Sequence, residues 1–305
     1  MKELDFINII KTQTSSNYIG DDCAFLKEFN LVVTQDNFVE DVHFKREWMS
    51  AYQIGYKSAT VNISDVLASG AEPKFLMVGL SMPASVDDNF VKEFYRGVKN
   101  AALNVEVIGG DITGADKIFV SITAFGDTRG RNISSRKYAK SGDVVVVSGD
   151  CGSSSFGLDL LLGNILGKEK KEFQNLIKKH REPVLDWDFS KQVGKNIVEK
   201  YAMMDTSDGL ADAIFKIADL SNVMIELDYD KIPHNSGVQE EKYILFGGED
   251  YRLVAVFDKK FLKYLDKYYV IGRVNNRIGD TKLIVNNKTY SRYEDLCVYE
   301  HFKNA

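Results

Sequence analysis

Six short stretches set a carboxylate beside a glycine, serine or threonine at the edge of an apolar run: Gly20-Asp21-Asp22, Thr34-Gln35-Asp36, Ser64-Asp65, Gly109-Gly110-Asp111, Asp205-Thr206-Ser207-Asp208 and Gly247-Gly248-Glu249-Asp250. A carboxylate at a strand end lies near the rim of a fold, and a neighbouring glycine lets a ligand approach the backbone closely. If these rims converge on one cleft, their charges repel unless a cation fills the space. Oxygen donors of this kind suit Mg2+, Mn2+ or Ca2+. Zinc is disfavoured, because His43, His180, His234 and His301 are dispersed and no Cys/His cluster exists. Magnesium takes one or two carboxylates plus phosphate oxygens, so a phosphate-bearing ligand is the expected companion.

Each corner also has an ordinary reading. A lone Gly-Asp is usually a turn. Ser207 and Asp208 could be helix N-caps and nothing more. Asp65 is harder to dismiss, since it stands beside Val66 and Leu67 in an apolar helical pattern, where a buried charge needs a partner. The common phosphate-binding motifs are absent: there is no GxxxxGK[ST], and no protein-kinase glycine loop with its HRD and DFG partners. An ATP user with this sequence belongs to another architecture.

The elements that must carry these residues are legible in outline. Residues 31–34 read as a strand ending at Asp36, 51–71 as a helix stopped by Gly70 and Pro73, 75–82 as a buried strand and 89–104 as a helix. Strands follow at 105–108 and 118–125, with Gly109-Gly110-Asp111 as the corner between them. Residues 127–143 are polar, basic and poor in large aliphatics, which marks a boundary between domains at 1–135 and 136–305. Beyond it, strands are expected at 144–147, 223–227, 243–246, 253–257 and 269–274, the last clear strand. Helices are expected at 153–165, 188–201, from Asp205 through Leu220, and at 261–268. Alternating strands and helices give an α/β or mixed α+β class.

Bulk properties exclude other classes. The 305 residues suit two domains. A net charge of −5 carries no basic footprint for nucleic acid, and no apolar run approaches a membrane span. The N-terminus lacks a signal peptide's apolar stretch. Cys23, Cys151 and Cys297 are odd in number, far apart and without a CxxC, as expected of reduced thiols in a cytoplasmic protein.

Taken in order, the motifs resemble the thiamine-monophosphate kinase family: Gly20-Asp21-Asp22-Cys23-Ala24, Val33-Thr34-Gln35-Asp36, Val42-His43-Phe44, Gly55-Tyr56-Lys57-Ser58-Ala59, Val61-Asn62-Ile63-Ser64-Asp65, Gly109-Gly110-Asp111, Asp205-Thr206-Ser207-Asp208-Gly209-Leu210 and Gly247-Gly248-Glu249-Asp250-Tyr251. The similarity runs from about residue 18 to Tyr299-Glu300-His301-Phe302. The family lies in the superfamily of aminoimidazole ribonucleotide synthetase. The resemblance implies a β-rich N-terminal domain that pairs with its twin into a homodimer, an α/β C-terminal domain, and ATP with several Mg2+ in the cleft between them.

By position, it implies that Asp22, Asp36, Asp65, Asp111, Asp205 and Asp208 hold metal, with Thr34 and Gln35 in the metal loop. Gln35 replaces the family's usual Thr or Ser, which matters only if a hydroxyl there is a ligand. Tyr95, Gly110, Asp111, Arg136 and Ser207 would contact ATP; His43, Glu249 and Tyr299 would contact thiamine monophosphate. On sequence alone His43 also reads as a strand-end histidine, Tyr299 as packing and Arg136 as solvated surface. The implied reaction makes thiamine diphosphate with no general base, because the nucleophile is an already ionised phosphate. Another ATP-dependent synthetase of the superfamily, or a non-enzymatic magnesium–nucleotide sensor, are the alternatives.

Overall fold

The computed structural model describes residues 3–165 and 173–299. Glu300, His301 and Phe302, the end of the resemblance, lie outside the described residues. A short helix α1 (Glu3–Thr14) precedes a five-stranded sheet built from β1 (Ala24–Leu26), β2 (Leu31–Val39), β3 (Glu72–Met82), β4 (Glu106–Gly114) and β5 (Phe119–Asp127). The strand order is β1-β2-β5-β3-β4; β3 and β4 run parallel and the other pairs antiparallel. In β5 the residues alternate, with Val120, Ile122, Ala124 and Gly126 buried beneath two helices.

Those helices are α2 (Ala51–Ala68) and α3 (Asp88–Ala102). α2 opens on a capping box: Ser50 Oγ accepts from Gln53 N, and the Gln53 side chain accepts from Ser50 N. Two glycines let α2 and α3 touch backbone to backbone. A Cβ on Gly97 would lie 1.9 Å from the Tyr52 carbonyl oxygen, and one on Gly55 would lie 2.0 Å from that of Phe94. α2 is buried on nearly every side, because the second half of the chain covers the face that the first sheet leaves.

That half holds a seven-stranded sheet of β6 (Val144–Val147), β7 (Ala202–Asp205), β8 (Val223–Leu227), β9 (Leu253–Phe257), β10 (Tyr269–Asn276), β11 (Leu283–Val285) and β12 (Lys288–Tyr290) in the order β12-β11-β8-β10-β6-β9-β7. One face packs against α2 and α6 (Trp187–Asn196) in a core that crosses between the halves and includes Ile63, Leu67, Phe189, Met203 and Leu253. The other face meets α4 (Ser153–Leu162), α5 (Gln174–Arg181), α7 (Leu210–Leu220) and α8 (Glu241–Phe246).

Five expectations need correction. β2 continues to Val39, so Asp36 lies within the strand and not at its end. Gly109-Gly110-Asp111 is no corner: β4 runs through it, absorbing Ile108 as a bulge, since Val107 pairs with Leu76 and Gly109 with Met77. Asp205 ends β7 instead of opening a helix; α7 begins at Leu210, after the turn at Gly209. Residues 243–246 are helical in α8, because a four-residue apolar run fits either period and here Tyr243, Ile244 and Leu245 bury as a helical turn. Two short strands, β11 and β12, also follow the one expected to be last.

Candidate active site at the seam of the two halves

β2 and α2 lie side by side in opposite directions, and alternate residues of the strand meet successive turns of the helix. Thr34 Oγ1 donates to Asp65 Oδ2 at 2.6 Å; the Asp36 N–H donates to Asn62 Oδ1 at 2.8 Å; the Phe38 ring lies 6.0 Å from Lys57 Nζ. The strand's period of two thus places Thr34, Asp36 and Phe38 on the helix face. Gln35 falls on the opposite face. Its amide donates to Ser121 Oγ at 3.1 Å and accepts from Thr123 Oγ1 at 3.0 Å, so the residue that departs from the family pattern spends its side chain on a cross-strand pair.

Asp65 is the near end of this ladder, and two further carboxylates meet it. Asp22, Asp65 and Asp205 each present an oxygen within 4.8 Å of the others. Asp22 comes from the loop before β1 and Asp205 from the end of β7, so the trio joins both halves of the chain. Ser64 Oγ donates to Asp205 Oδ2 at 2.6 Å across the seam. Burial, followed by the charges of Asp36, Asp205 and Asp22, pushes the Asp65 carboxyl well above its ordinary range. Burial and Asp22 push Asp205 up to about 7. Both shifts mark a place where negative charge is crowded and under-compensated.

Arg136 is the cation seated against the trio. Its Nη2 donates to Asp22 Oδ1 at 2.7 Å, while its backbone N–H donates to Asp21 Oδ1 at 2.8 Å. Burial would lower the Arg136 pKa, but Asp22, Asp65 and Asp21 raise it, so it stays charged. Its Nε is buried with no hydrogen-bond acceptor among the described residues. The donor set is therefore hard carboxylate oxygen, crowded and short of positive charge, which fits a divalent cation of the magnesium type.

Beyond the trio lie two interlocked loops. Ser207 N donates to Asp205 Oδ1 at 3.3 Å, and Ser207 O accepts from Glu249 N at 2.7 Å. Arg252 N donates to Thr206 Oγ1 at 2.9 Å. Asp208 is on the rim, 3.2 Å from Lys216 Nζ. Glu249 takes a left-handed φ of 66° and lies among Lys57, His180 and His43. His43 stacks on Phe38 at 5.6 Å and its Nδ1 accepts from Val39 N at 3.0 Å. The remaining positions lie apart. Gly110 and Asp111 are on the exposed edge strand β4; a Cβ at Gly110 would lie 1.9 Å from Val78 O, so only glycine fits there. Tyr95 is on α3, edge-on to Phe94 at 5.2 Å, and Tyr299 is 63% exposed. A separate cavity of about 310 Å3, lined by Leu103, Arg131, Trp187 and Lys191 among others, contains none of these residues.

Models of the AIR synthase related protein match at residues 20–128 for the N-terminal domain and 140–282 for the C-terminal domain. The thiamine-monophosphate kinase of Aquifex aeolicus is 36% identical over 297 residues, covering 91% of this chain and 92% of the relative. That of Bacillus subtilis is 32% identical over 330 residues, covering 99% and 100%. The chain belongs to the thiamine-monophosphate kinase family. It is an enzyme, a phosphotransferase. A solved structure of the family, AaThiL complexed with AMPPCP and TMP, superposes with a TM-score of 0.87 at 33% identity, covering 99% of this chain and 97% of that one. A hydrogenase maturation complex of HypE and HypF shares the fold at 19% identity, with a TM-score of 0.73.

Several site-forming residues of this family member were given no role by the sequence reading. Asn62 and Ser64 orient Asp36 and Asp205. Lys57 and His180 are fully buried against Glu249. The one sequence signal was Lys57, a lysine two turns ahead of Asp65 on a helix too apolar to leave it in solvent. All three cysteines are free, Cys23 and Cys151 buried and Cys297 exposed. No described helix is long and apolar enough to cross a membrane.

Proposed function

We propose that this chain transfers the γ-phosphoryl group of ATP directly to the phosphate of thiamine monophosphate, giving thiamine diphosphate, in the cytoplasm and as a homodimer. The observation that carries this reading is the trio of Asp22, Asp65 and Asp205 at the seam. Three crowded carboxylates beside one arginine form a site for cations that accompany phosphate. Asp22, Asp36, Asp65 and Asp205 would hold Mg2+, with Asp208 and the Thr34-Gln35 backbone nearby; Asp111, which the resemblance also assigns to metal, lies apart on β4. When bound, magnesium supplies the positive charge that lets two phosphates approach in line.

The chain's own groups do the rest. Arg136 adds a fixed guanidinium, and its unspent Nε is a donor for a nucleotide phosphate. The Ser207 turn would offer backbone to ATP; Gly110 and Tyr95, which the resemblance also assigns to ATP, lie apart from that turn in this chain. The acceptor has its second phosphate pKa near ~6, so it arrives ionised and needs no base. Its thiazolium ring is cationic, which suits the Glu249 carboxylate, the aromatic face of Tyr299 and the polar edge of His43. No residue is assigned to proton abstraction.

The dimer reading rests on β4. All nine of its residues are exposed, and Val107, Ile108 and Ile112 are among them. A long apolar edge strand invites pairing, and a second copy of the same strand is the partner that buries it.

The test is phosphorus NMR of the chain with ATP, Mg2+ and thiamine monophosphate. The expected result is ADP and thiamine diphosphate in equal amounts. Nucleotide binding without ADP would indicate a sensor, and ADP formed only with an aminoimidazole precursor would indicate another synthetase of the superfamily.

A further inference from the structure

Lys57 has no exposed surface, yet it carries a charged group. Its Nζ lies 3.1 Å from Glu249 Oε1 and 3.4 Å from His180 Nε2. His180 Nδ1 in turn lies 3.3 Å from Glu249 Oε2 and 3.1 Å from Ser154 Oγ. Burial and the neighbouring Lys57 drive the His180 pKa down to about 3, so the ring is neutral. A neutral imidazole that accepts from Lys57 at Nε2 must carry its proton on Nδ1, where it faces Glu249 and Ser154. Burial lowers the Lys57 pKa and the Glu249 carboxylate opposes it; with Lys57 protonated and Glu249 ionised, the three side chains close a ring with one positive and one negative charge. Only Glu249 reaches the surface, with 26% of its side chain exposed.

The ring joins three elements: α2 in the first half, α5 in the second, and the loop before β9. It shares α2 with Asp65. Eight residues separate Lys57 from Asp65, roughly 12 Å along the helix axis. The same helix thus carries Asp65 of the acidic trio near its C-terminal end and, about two turns earlier, the lysine that holds the Glu249 carboxylate.

We infer that Lys57 is a positioning residue for the phosphoryl acceptor: through its ion pair, completed by His180, it fixes the Glu249 carboxylate at a set distance from the acidic trio. This rests on the proposed role of Glu249 toward a cationic acceptor. The titratable groups facing that carboxylate are Lys57 from α2, His180 from α5, His43 after β2 and Tyr251 on its own loop. Burial alone would raise the Glu249 pKa; Lys57, His180 and His43 bring it below its ordinary value. Without Lys57 the carboxylate takes up a proton at higher pH and loses its fixed direction.

The experiment measures KM and kcat for thiamine monophosphate and for ATP between pH 6 and 9. It compares the wild type with Lys57→Met, Glu249→Gln and the double variant, each checked for folding by thermal melting. In Lys57→Met the acceptor KM should rise about 10-fold or more, the loss expected of a charge-assisted hydrogen bond, while the ATP KM moves less than about twofold. The penalty should grow as pH falls, because protonation of Glu249 removes the charge that the acceptor meets. If Lys57→Met fails to fold, the double variant decides, since it buries no unpaired charge. In the Glu249→Gln background Lys57→Met should add less than about twofold. Additive penalties, equal rises in both KM values or a penalty flat in pH would overturn the inference. Failure of the wild type to turn over thiamine monophosphate would instead overturn the function on which it rests.

Discussion

At the scale of single residues, Asp205 shows how the site sets function against stability. Its carboxylate is 1% exposed, shares its surroundings with Asp22 and Asp65, and keeps its place through Ser64. Asparagine has the same shape and can keep the Ser64 hydrogen bond, but it removes one of three repelling charges. Asp205→Asn should therefore raise the melting temperature in chelator, by about 2–4 °C for each kcal/mol of repulsion relieved. It should also lower kcat by at least about 100-fold, more than the loss of an outer partner of a metal ligand. Calorimetry in EDTA and a coupled assay at saturating Mg2+ check the two signs. A variant that melts lower and works normally would show that the trio is an ordinary hydrogen-bonded cluster. The carboxylates themselves were legible in sequence because they stand out at the ends of apolar runs. The roles of their supporting groups were not: Ser64 stood out only as Asp65's neighbour, Asn62 and His180 have no spacing that distinguishes them from ordinary helix residues, and only the fold brings all three within 3.5 Å of their partners.

At the scale of elements, α2 is the member on which the site depends. It supplies Lys57, Asn62, Ser64 and Asp65, and its position is set by the close contact of Gly55 and Gly97 with the facing backbones. Gly97→Ala should force α2 and α3 apart. The expected cost is about 1–3 kcal/mol of stability, typical of overpacking, with a loss of activity although no atom of the site has changed. Denaturant melts together with KM for both substrates measure this; a stable, fully active variant would mean that the helices relax without moving Asp65. The helix was readable from its apolar spacing and its stop at Gly70. The elements that were misread share a cause. Residues 243–246 and 109–111 are short, and a short apolar run or a glycine pair is decided by its neighbours: α8 by burial against the second core, β4 by its pairing with β3.

At the scale of the molecule, β4 is the exposed edge of the first sheet and carries Gly110 and Asp111. Ile112, 59% exposed, stands in the middle of that edge. If the proposed dimer pairs through β4, Ile112→Lys should give a monomer in sedimentation experiments where the wild type gives a dimer, and activity should fall with it because two of the proposed ligand-contacting residues lie on the same strand. A lysine variant that remains dimeric would place the interface elsewhere. The division into two sheets could be anticipated from the polar stretch at 127–143, but the core that runs across both could not, since it joins residues more than a hundred positions apart, such as Ile63 and Met203. That shared core, and the Ser64–Asp205 bond above it, mean that the carboxylate trio belongs to neither half. Each half supplies only part of the carboxylate trio, so on the proposed assignment a half grafted onto foreign neighbours would bring no catalysis with it.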